Sequence, residues 1–305
     1  MNNRVIPAKA GIQDEFRILG RRKGNEEPIR FTYKGVEFHP ECFHVVAGLN
    51  AVDTREYTEQ TFKALKDAGQ VCARMGAYKP RTSPYSFQGY GKQCLPYTFE
   101  LAGKYGVRVI SMEVTRDEHL DEIREALRES GDPCGVMLQI GTRNTQNFEL
   151  LKTVGSQRDF PILVKRGFGI TLHESLLAAE YVASAGNRDI VFCLRGMKTN
   201  FGDPHRNLVD FAHVPVVKRL TRMPVCVDPS HSVGVRAEDG HGLQDIYHAA
   251  AQGIIAGANL VLTDIHPEPR KALVDAGQAL TLEELPRFLE DCAISREAYE
   301  RRTRH

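Results

Sequence analysis

The sequence carries no excess of charge of one sign: 40 Lys and Arg oppose 39 Asp and Glu over 305 residues, a formal net charge of +1. No global basic field marks the chain for nucleic acid or an anionic membrane, so both are excluded as partners and any anion site must be local. A C-x-x-C pair is also missing. The seven cysteines (Cys42, Cys72, Cys94, Cys134, Cys193, Cys226, Cys292) are unpaired in spacing, and four sit inside apolar runs. They read as reduced thiols, not a disulfide framework. No apolar stretch approaches the roughly 18 residues needed to cross a bilayer. The opening MNNRVIPAKAGIQDEFRILGRRKGNEEP has no apolar segment of the signal-peptide kind. The expectation is a cytoplasmic protein. What is present is ordinary for a soluble globular chain, 42% hydrophobic and 26% charged, which excludes disordered and fibrous classes.

Within that composition one pattern repeats. Short β-branched runs recur at 44–49, 70–76, 107–114, 134–141, 161–167, 189–196, 223–230 and 259–266, eight in all. Each is almost continuously apolar, as parallel strands buried on both faces are. Between them lie helix-like segments such as REYTEQTFKALKDAG and TLHESLLAAEYVASAG. Strand then helix, eight times over, predicts an α/β (β/α)8 TIM barrel. An open doubly wound sheet would carry a glycine fingerprint after its first strand, where AGLNAVD stands instead. Residues 1–28 read as a flexible N-terminal tail, and 29–305 as a single catalytic barrel with no room for a separate regulatory domain. IRFTYKGVEFHP alternates around Lys34–Gly35 and predicts a β-hairpin over the N-terminal end of the barrel.

Polar residues at the C-terminal ends of barrel strands usually build the active site. Here those ends carry Asn50, Arg74 with Lys79 and Arg81, Glu113, Gln139 with Arg143, Lys165 with Arg166, Arg195, Asp228 with His231, and Asp264 with His266. Lys or Arg after four of these eight strand ends should converge on a strongly anionic substrate, such as phosphate plus carboxylate. The segment 74–91, RMGAYKPRTSPYSFQGYG, is stiffened by Pro80 and Pro84 and offers Lys79, Arg81, Thr82 and Ser83 as phosphate donors. Near the other end, His231, Asp264 and Asp275 could coordinate a divalent cation, or hold a water and act as acid and base. Asp228, before Pro229, either closes an Asx turn or touches substrate.

The runs GAYKPRTSPYSFQGYG, QIGTRNTQNFELLK, ILVKRG, AAEYVASAGN, LRG, DPSH and HPEPRKALVDAGQ closely resemble the 3-deoxy-D-arabino-heptulosonate 7-phosphate (DAHP) synthases, in the class I family shared with 3-deoxy-D-manno-octulosonate 8-phosphate synthases. The likeness extends in order over residues 44–281. It implies a transferase of the shikimate pathway to the aromatic amino acids, which condenses phosphoenolpyruvate with an aldose phosphate. KPRTS is similar to the heptulosonate branch, implying erythrose 4-phosphate as acceptor. The resemblance assigns Arg74, Lys79, Arg143, Lys165 and Arg195, with Glu113 nearby, to phosphoenolpyruvate, and Arg81 and Thr82 to the aldose phosphate. Lys165, Asn50, His231, Asp264 and Asp275 are the implied catalytic set. Two of the family's four metal ligands are changed: Asn50 stands in place of Cys and Asp264 in place of Glu, while His231 and Asp275 remain. Leu194 stands where the family has Glu. The expectation is therefore either no metal, as in octulosonate enzymes carrying this Asn, or a divalent ion (Mn, Mg, Fe or Zn) on His231, Asp264 and Asp275. A homo-oligomer, dimer or tetramer, is implied. Two further readings are the same chemistry on another aldehyde in secondary metabolism, and a catalytically silent barrel that binds phosphoenolpyruvate.

Overall fold

The computed structural model describes residues 15–304. Its first strands, β1 (Phe31–Tyr33) and β2 (Val36–Phe38), form the expected hairpin. Lys34 and Gly35 turn it with φ of 48° and 73°, the left-handed pair that a two-residue hairpin turn requires. Each of the eight apolar runs then becomes a strand: β3 (His44–Leu49), β4 (Cys72–Met75), β5 (Val109–Val114), β6 (Gly135–Ile140), β7 (Ile162–Lys165), β8 (Ile190–Leu194), β9 (Val225–Val227) and β10 (Leu260–Asp264). All pair in parallel with their sequence neighbours, and β10 returns to β3 with Leu260 opposite His44 and Asp264 opposite Gly48, so the barrel closes without an edge. Closure explains why the runs show no alternation: one face meets the barrel interior and the other meets helices, and both exclude water.

The surrounding helices are α1 (Arg55–Asp67), α2 (Leu95–Tyr105), α3 (Glu118–Glu129), α4 (Phe148–Ser156), α5 (Leu172–Ala185), α6 (Val214–Leu220), α7 (Pro229–Val233), α8 (Asp245–Ile255) and α9 (Leu285–Thr303). Their starts are legible in the side chains: Thr54 caps α1 through Tyr57 N–H at 3.2 Å, and Thr171 with Glu174 forms a capping box on α5. Among the described residues no helix is long and apolar enough to cross a membrane.

The hairpin covers the N-terminal end of the barrel. Phe31 stacks on Phe38 at 5.0 Å, both buried, and the Tyr33 hydroxyl accepts the Val136 N–H at 3.2 Å. A Cβ at Gly135 would lie 2.4 Å from the Tyr33 ring, so glycine is what lets the hairpin seat on β6. The expected tail of residues 1–28 needs correcting where it is described; residues 1–14 lie outside the described part. From Glu15 onward the segment is docked. Phe16 and Leu19 are buried, the N–H groups of Ile18 and Leu19 donate to the Glu180 carboxylate at 2.7 and 3.0 Å, and Leu19 O accepts Arg222 N–H at 2.9 Å. Two apolar anchors and backbone bonds to α5 and to the loop before β9 hold it, an arrangement that leaves no periodic signal in sequence.

Candidate active site

At the C-terminal ends of the strands lies a cavity of about 300 Å³. Seven cationic side chains and two carboxylates line it, a strong local excess of positive charge in a chain that is nearly neutral overall. Arg74 from β4, Glu113 from β5, Gln139 from β6, Lys165 from β7 and Arg195 just after β8 reach it because each is the inward member of its strand end. The residue after Lys165 shows the alternation: Arg166 turns outward to Asp210 at 3.2 Å and leaves the pocket. His266 likewise turns away, to Asp53 at 3.3 Å. Segment 76–91 forms one wall through Pro80, Arg81, Thr82, Ser83 and Ser86. Lys79 N–H to Gln88 O and Gly91 N–H to Ala77 O, both 2.9 Å, close this loop on itself. Gly89 permits that closure, since its φ is 93° and a Cβ there would lie 2.0 Å from Ala77 O.

One side of the cavity has cations with few internal partners. Arg195 is 1% exposed, and its Nε has no hydrogen-bond acceptor. Burial pulls its pKa down, a cost that an anion would remove. Arg143 touches only the Thr82 hydroxyl, at 3.3 Å, and both guanidinium groups lie over the Phe168 ring, at 5.2 and 4.8 Å. Lys165 donates to Asp228 at 2.6 Å. Glu113 sits 3.7 Å from Lys79 Nζ and lies flat against Gly141, where a Cβ would be 1.7 Å from its Oε1. Burial, opposed by Glu113, brings the Lys79 ammonium down to about 8.

The opposite side is internally neutralised. Asn50 Oδ1 accepts from Arg74 and from Lys79, both at 2.8 Å, and its Nδ2 donates to Asp275 at 2.7 Å. Asp264 lies beneath the cavity, bonded to Arg74 and to Gln278 Nε2, the latter at 2.6 Å. Arg206 donates to Asp275 and to Gln278, both at 3.1 Å. Despite burial, His231 and the cations Arg206, Lys79 and Arg81 hold the Asp275 carboxyl well below the usual range. Asp228 closes the turn at the start of α7 by accepting His231 N–H at 3.0 Å, and also faces His231 Nδ1 at 3.1 Å. Despite burial, His231 and Lys165 hold Asp228 well below the carboxylate range, while burial keeps the imidazole below its own usual value. The ring sets Nδ1 on Asp228 and turns Nε2 toward the cavity, 3.8 Å from Asp275.

All predicted site residues are brought together, but not in one role. Asp264 and Asn50 form the floor and do not line the main cavity. The trio His231, Asp264 and Asp275 does not converge on one point in this structure: His231 is 4.0 Å from Asp264 through Nδ1 but faces Asp275 through Nε2, and each carboxylate is engaged by protein donors. A divalent ion needs lone pairs converging on one point, and the amide in Asn50 turns its oxygen to two cations instead. Among the described residues, the set of three metal-capable side chains that does converge is Glu37, His39 and Cys42, at the opposite end of the barrel. Arg206 and Gln278 lie in loops well past their strand ends, and Phe168, three residues after β7, has no charge to mark it, so none of the three stands out in sequence. Gln278 follows Asp275 by three residues, and that spacing was the one available clue.

The match to known families decides where this site belongs. Residues 38–300 match the model of the DAHP synthetase I family. The chain belongs to that family. It is 40% identical over 262 residues to the phospho-2-dehydro-3-deoxyheptonate aldolase of Thermotoga maritima, covering 81% of this chain and 72% of the relative. A 2-dehydro-3-deoxyphosphooctonate aldolase of Nitratidesulfovibrio vulgaris is 26% identical over 81% of this chain and 89% of its own. In structure, the Thermotoga maritima DAHP synthase superposes with a TM-score of 0.81 at 36% identity, covering 92% of this chain and 77% of that one. Its truncated form gives 0.79 at 32% identity, covering 93% and 97%. DAHP synthetase I proteins are generally metal-dependent, so the neutralised floor is a departure within the family.

Proposed function

We propose that this chain condenses phosphoenolpyruvate with an aldose phosphate, erythrose 4-phosphate, giving DAHP and inorganic phosphate. The observation that carries this reading is the row of cations Arg143, Lys165 and Arg195, of which Arg143 and Arg195 have no carboxylate partner, facing the Arg81–Thr82–Ser83 wall across one 300 Å³ cavity. Phosphoenolpyruvate brings a carboxylate and a phosphate, which suit Lys165, Arg195 and Arg143, with Arg74 and Lys79 beneath. The acceptor's phosphate suits Arg81 and Thr82. Two anionic substrates side by side repel one another in water, and a fixed positive pocket removes that barrier while orienting C3 of the enol toward the aldehyde.

In the reaction the C3 electrons form the new bond to the aldehyde carbon, and the aldehyde oxygen takes a proton. Lys79, with its ammonium near about 8, is suited to lend it. Positive character at C2 is captured by water, whose proton goes to Nε2 of His231, with Asp275 holding the water and Asp228 steadying the ring. Collapse of the resulting hemiketal phosphate to the ketone breaks the C2–O bond and expels inorganic phosphate, which the arginines and Lys165 stabilise. No step is routed through a metal, because the donors of the floor are engaged by Arg74, Lys79, Gln278 and Arg206. In this reading Asn50 and Asp264 fix Arg74 and Lys79 in place. The cytoplasm as compartment and a homo-oligomer, dimer or tetramer, belong to the same reading; light scattering of the purified protein tests the second.

The direct test is release of phosphate from phosphoenolpyruvate with erythrose 4-phosphate, arabinose 5-phosphate, ribose 5-phosphate and unphosphorylated aldehydes in turn. The reading expects erythrose 4-phosphate to be turned over best. Preference for another aldehyde would move the protein to secondary metabolism, and no release with any would make it a silent barrel.

A further inference from the structure

We propose that Glu37, His39 and Cys42 form a site for a borderline-soft divalent metal of the zinc class, clamping the hairpin to the start of the barrel. The three ligand atoms lie within 4.8 Å of one another. His39 is the centre: its Nε2 stands 2.9 Å from Cys42 Sγ and 3.4 Å from Glu37 Oε2. In a tetrahedral zinc site with bonds of about 2.0–2.3 Å the ligand–ligand edges are roughly 3.3–3.6 Å. The His39–Glu37 edge already has that length, and Cys42 needs to retreat by about 0.6 Å, a small rotation of its side chain.

The other ring nitrogen is prepared as a ligand histidine requires. His39 Nδ1 lies 2.7 Å from Glu41 Oε2, and Arg30 grips the same carboxylate through two bonds of 2.7 Å. That bidentate pair fixes the carboxylate beside the ring. An ionised Glu41 takes the Nδ1–H, which leaves the Nε2 lone pair toward Cys42 and Glu37; carboxylate–histidine support of this kind fixes the tautomer in metal sites. The backbone is fixed too. Cys42 N–H donates to His39 O at 3.1 Å, and Asn259 Nδ2 donates to Pro40 O at 2.7 Å, tying the turn to the residue before β10. The Cys42 Sγ faces the imidazole at 2.9 Å. Without metal it is a thiol hydrogen-bonded to His39; a divalent ion releases its proton and gathers one thiolate and one carboxylate, two negative charges against its own two positive ones. Glu37 belongs to the hairpin and His39 and Cys42 to the turn before β3, so the ion would pin the cover to the barrel. A water completes the fourth position.

The test is titration of the chelated full-length protein with Co2+, read by its thiolate-to-metal charge-transfer band. The cavity at the other end has no cysteine in its lining, so the band reports this site alone. The expected result is one equivalent bound with the band present, displaced by Zn2+, and absent in Cys42→Ser. Glu41→Gln, which leaves all three ligands in place, should weaken binding about 10–100-fold. Absence of a thiolate band in the wild type, or a band that survives in Cys42→Ser, overturns the site. Circular dichroism of each variant shows whether it is folded, and Glu41→Gln keeps the test valid if Cys42→Ser is not.

Discussion

The two sides of the cavity use charge in opposite ways. On one side Arg143 and Arg195 are held without carboxylate partners, propped over Phe168, so that their favourable interactions are still to be made. On the other, Asn50, Asp264, Asp275, Arg74, Arg206 and Gln278 satisfy one another in a closed network. Arg195 is buried with its Nε unpaired, a cost that a ligand would remove, and Arg143 beside it is exposed to an incoming anion, so the first side reads as a binding surface. A completed network is rigid and has nothing left to coordinate, so the second reads as a scaffold that places Lys79, Arg74 and the His231 ring. In this family, described as generally metal-dependent, the side of the pocket around Asn50 is bonded internally as a scaffold.

The largest effect that would break this contrast comes from Lys165, which sits on the binding side but is also bonded to buried Asp228. Lys165→Met should lower phosphoenolpyruvate affinity by about 2–5 kcal/mol, measured by calorimetry, since truncating one partner of a buried charge pair also strands the other. Wild-type affinity in that variant would remove Lys165 from the binding side. Next is Arg81→Ala on the loop wall. It should raise KM for the phosphorylated aldose by about 10–100-fold, the loss of one charged hydrogen bond, with phosphoenolpyruvate affinity unchanged. Equal loss for both substrates would show that the wall does not separate them.

A smaller, sharper test uses pH. Lys79 is a cation only below about 8, so kcat/KM for phosphoenolpyruvate should fall as pH rises through that value and hold steady below it until other groups titrate. Lys79→Arg should remove the alkaline limb and lower kcat, because guanidinium stays charged but does not give up its proton. A pH profile with no limb near 8 in the wild type would detach Lys79 from the reaction. The smallest expected change is in Gly141→Ala, where the added methyl displaces Glu113 from contact with the backbone. Thermal unfolding should show a cost of about 1–3 kcal/mol, as overpacked sites do.

The barrel itself was legible because the strands are buried on both faces and therefore continuous in apolar character, and every one of the eight runs contains its observed strand. Cations at strand ends were legible for the same reason: a charge directly after an apolar run has few places to go but the rim. Which way each pointed was less plain, as Arg166 and His266 show, since one residue of register reverses the face. The docked segment from Glu15 was hidden because two anchors, Phe16 and Leu19, make no period. Arg206 and Gln278 were hidden because they act through partners far away in sequence, 69 residues apart in the case of Arg206 and Asp275. Nothing in the sequence marks His39; Glu37 and Cys42 become its partners only once the hairpin and the turn before β3 bring them to one corner.

The contrast between the two sides requires the scaffold side to work without a metal. The decisive measurement is turnover of phosphoenolpyruvate and erythrose 4-phosphate after exhaustive chelation, made on Cys42→Ser so that the hairpin corner holds no ion, with metal content determined on the same sample. The account predicts the same rate before and after chelation, and predicts that Asn50→Cys combined with Asp264→Glu introduces metal binding at the floor. A rate abolished by chelation and restored by one equivalent of a transition metal would contradict it.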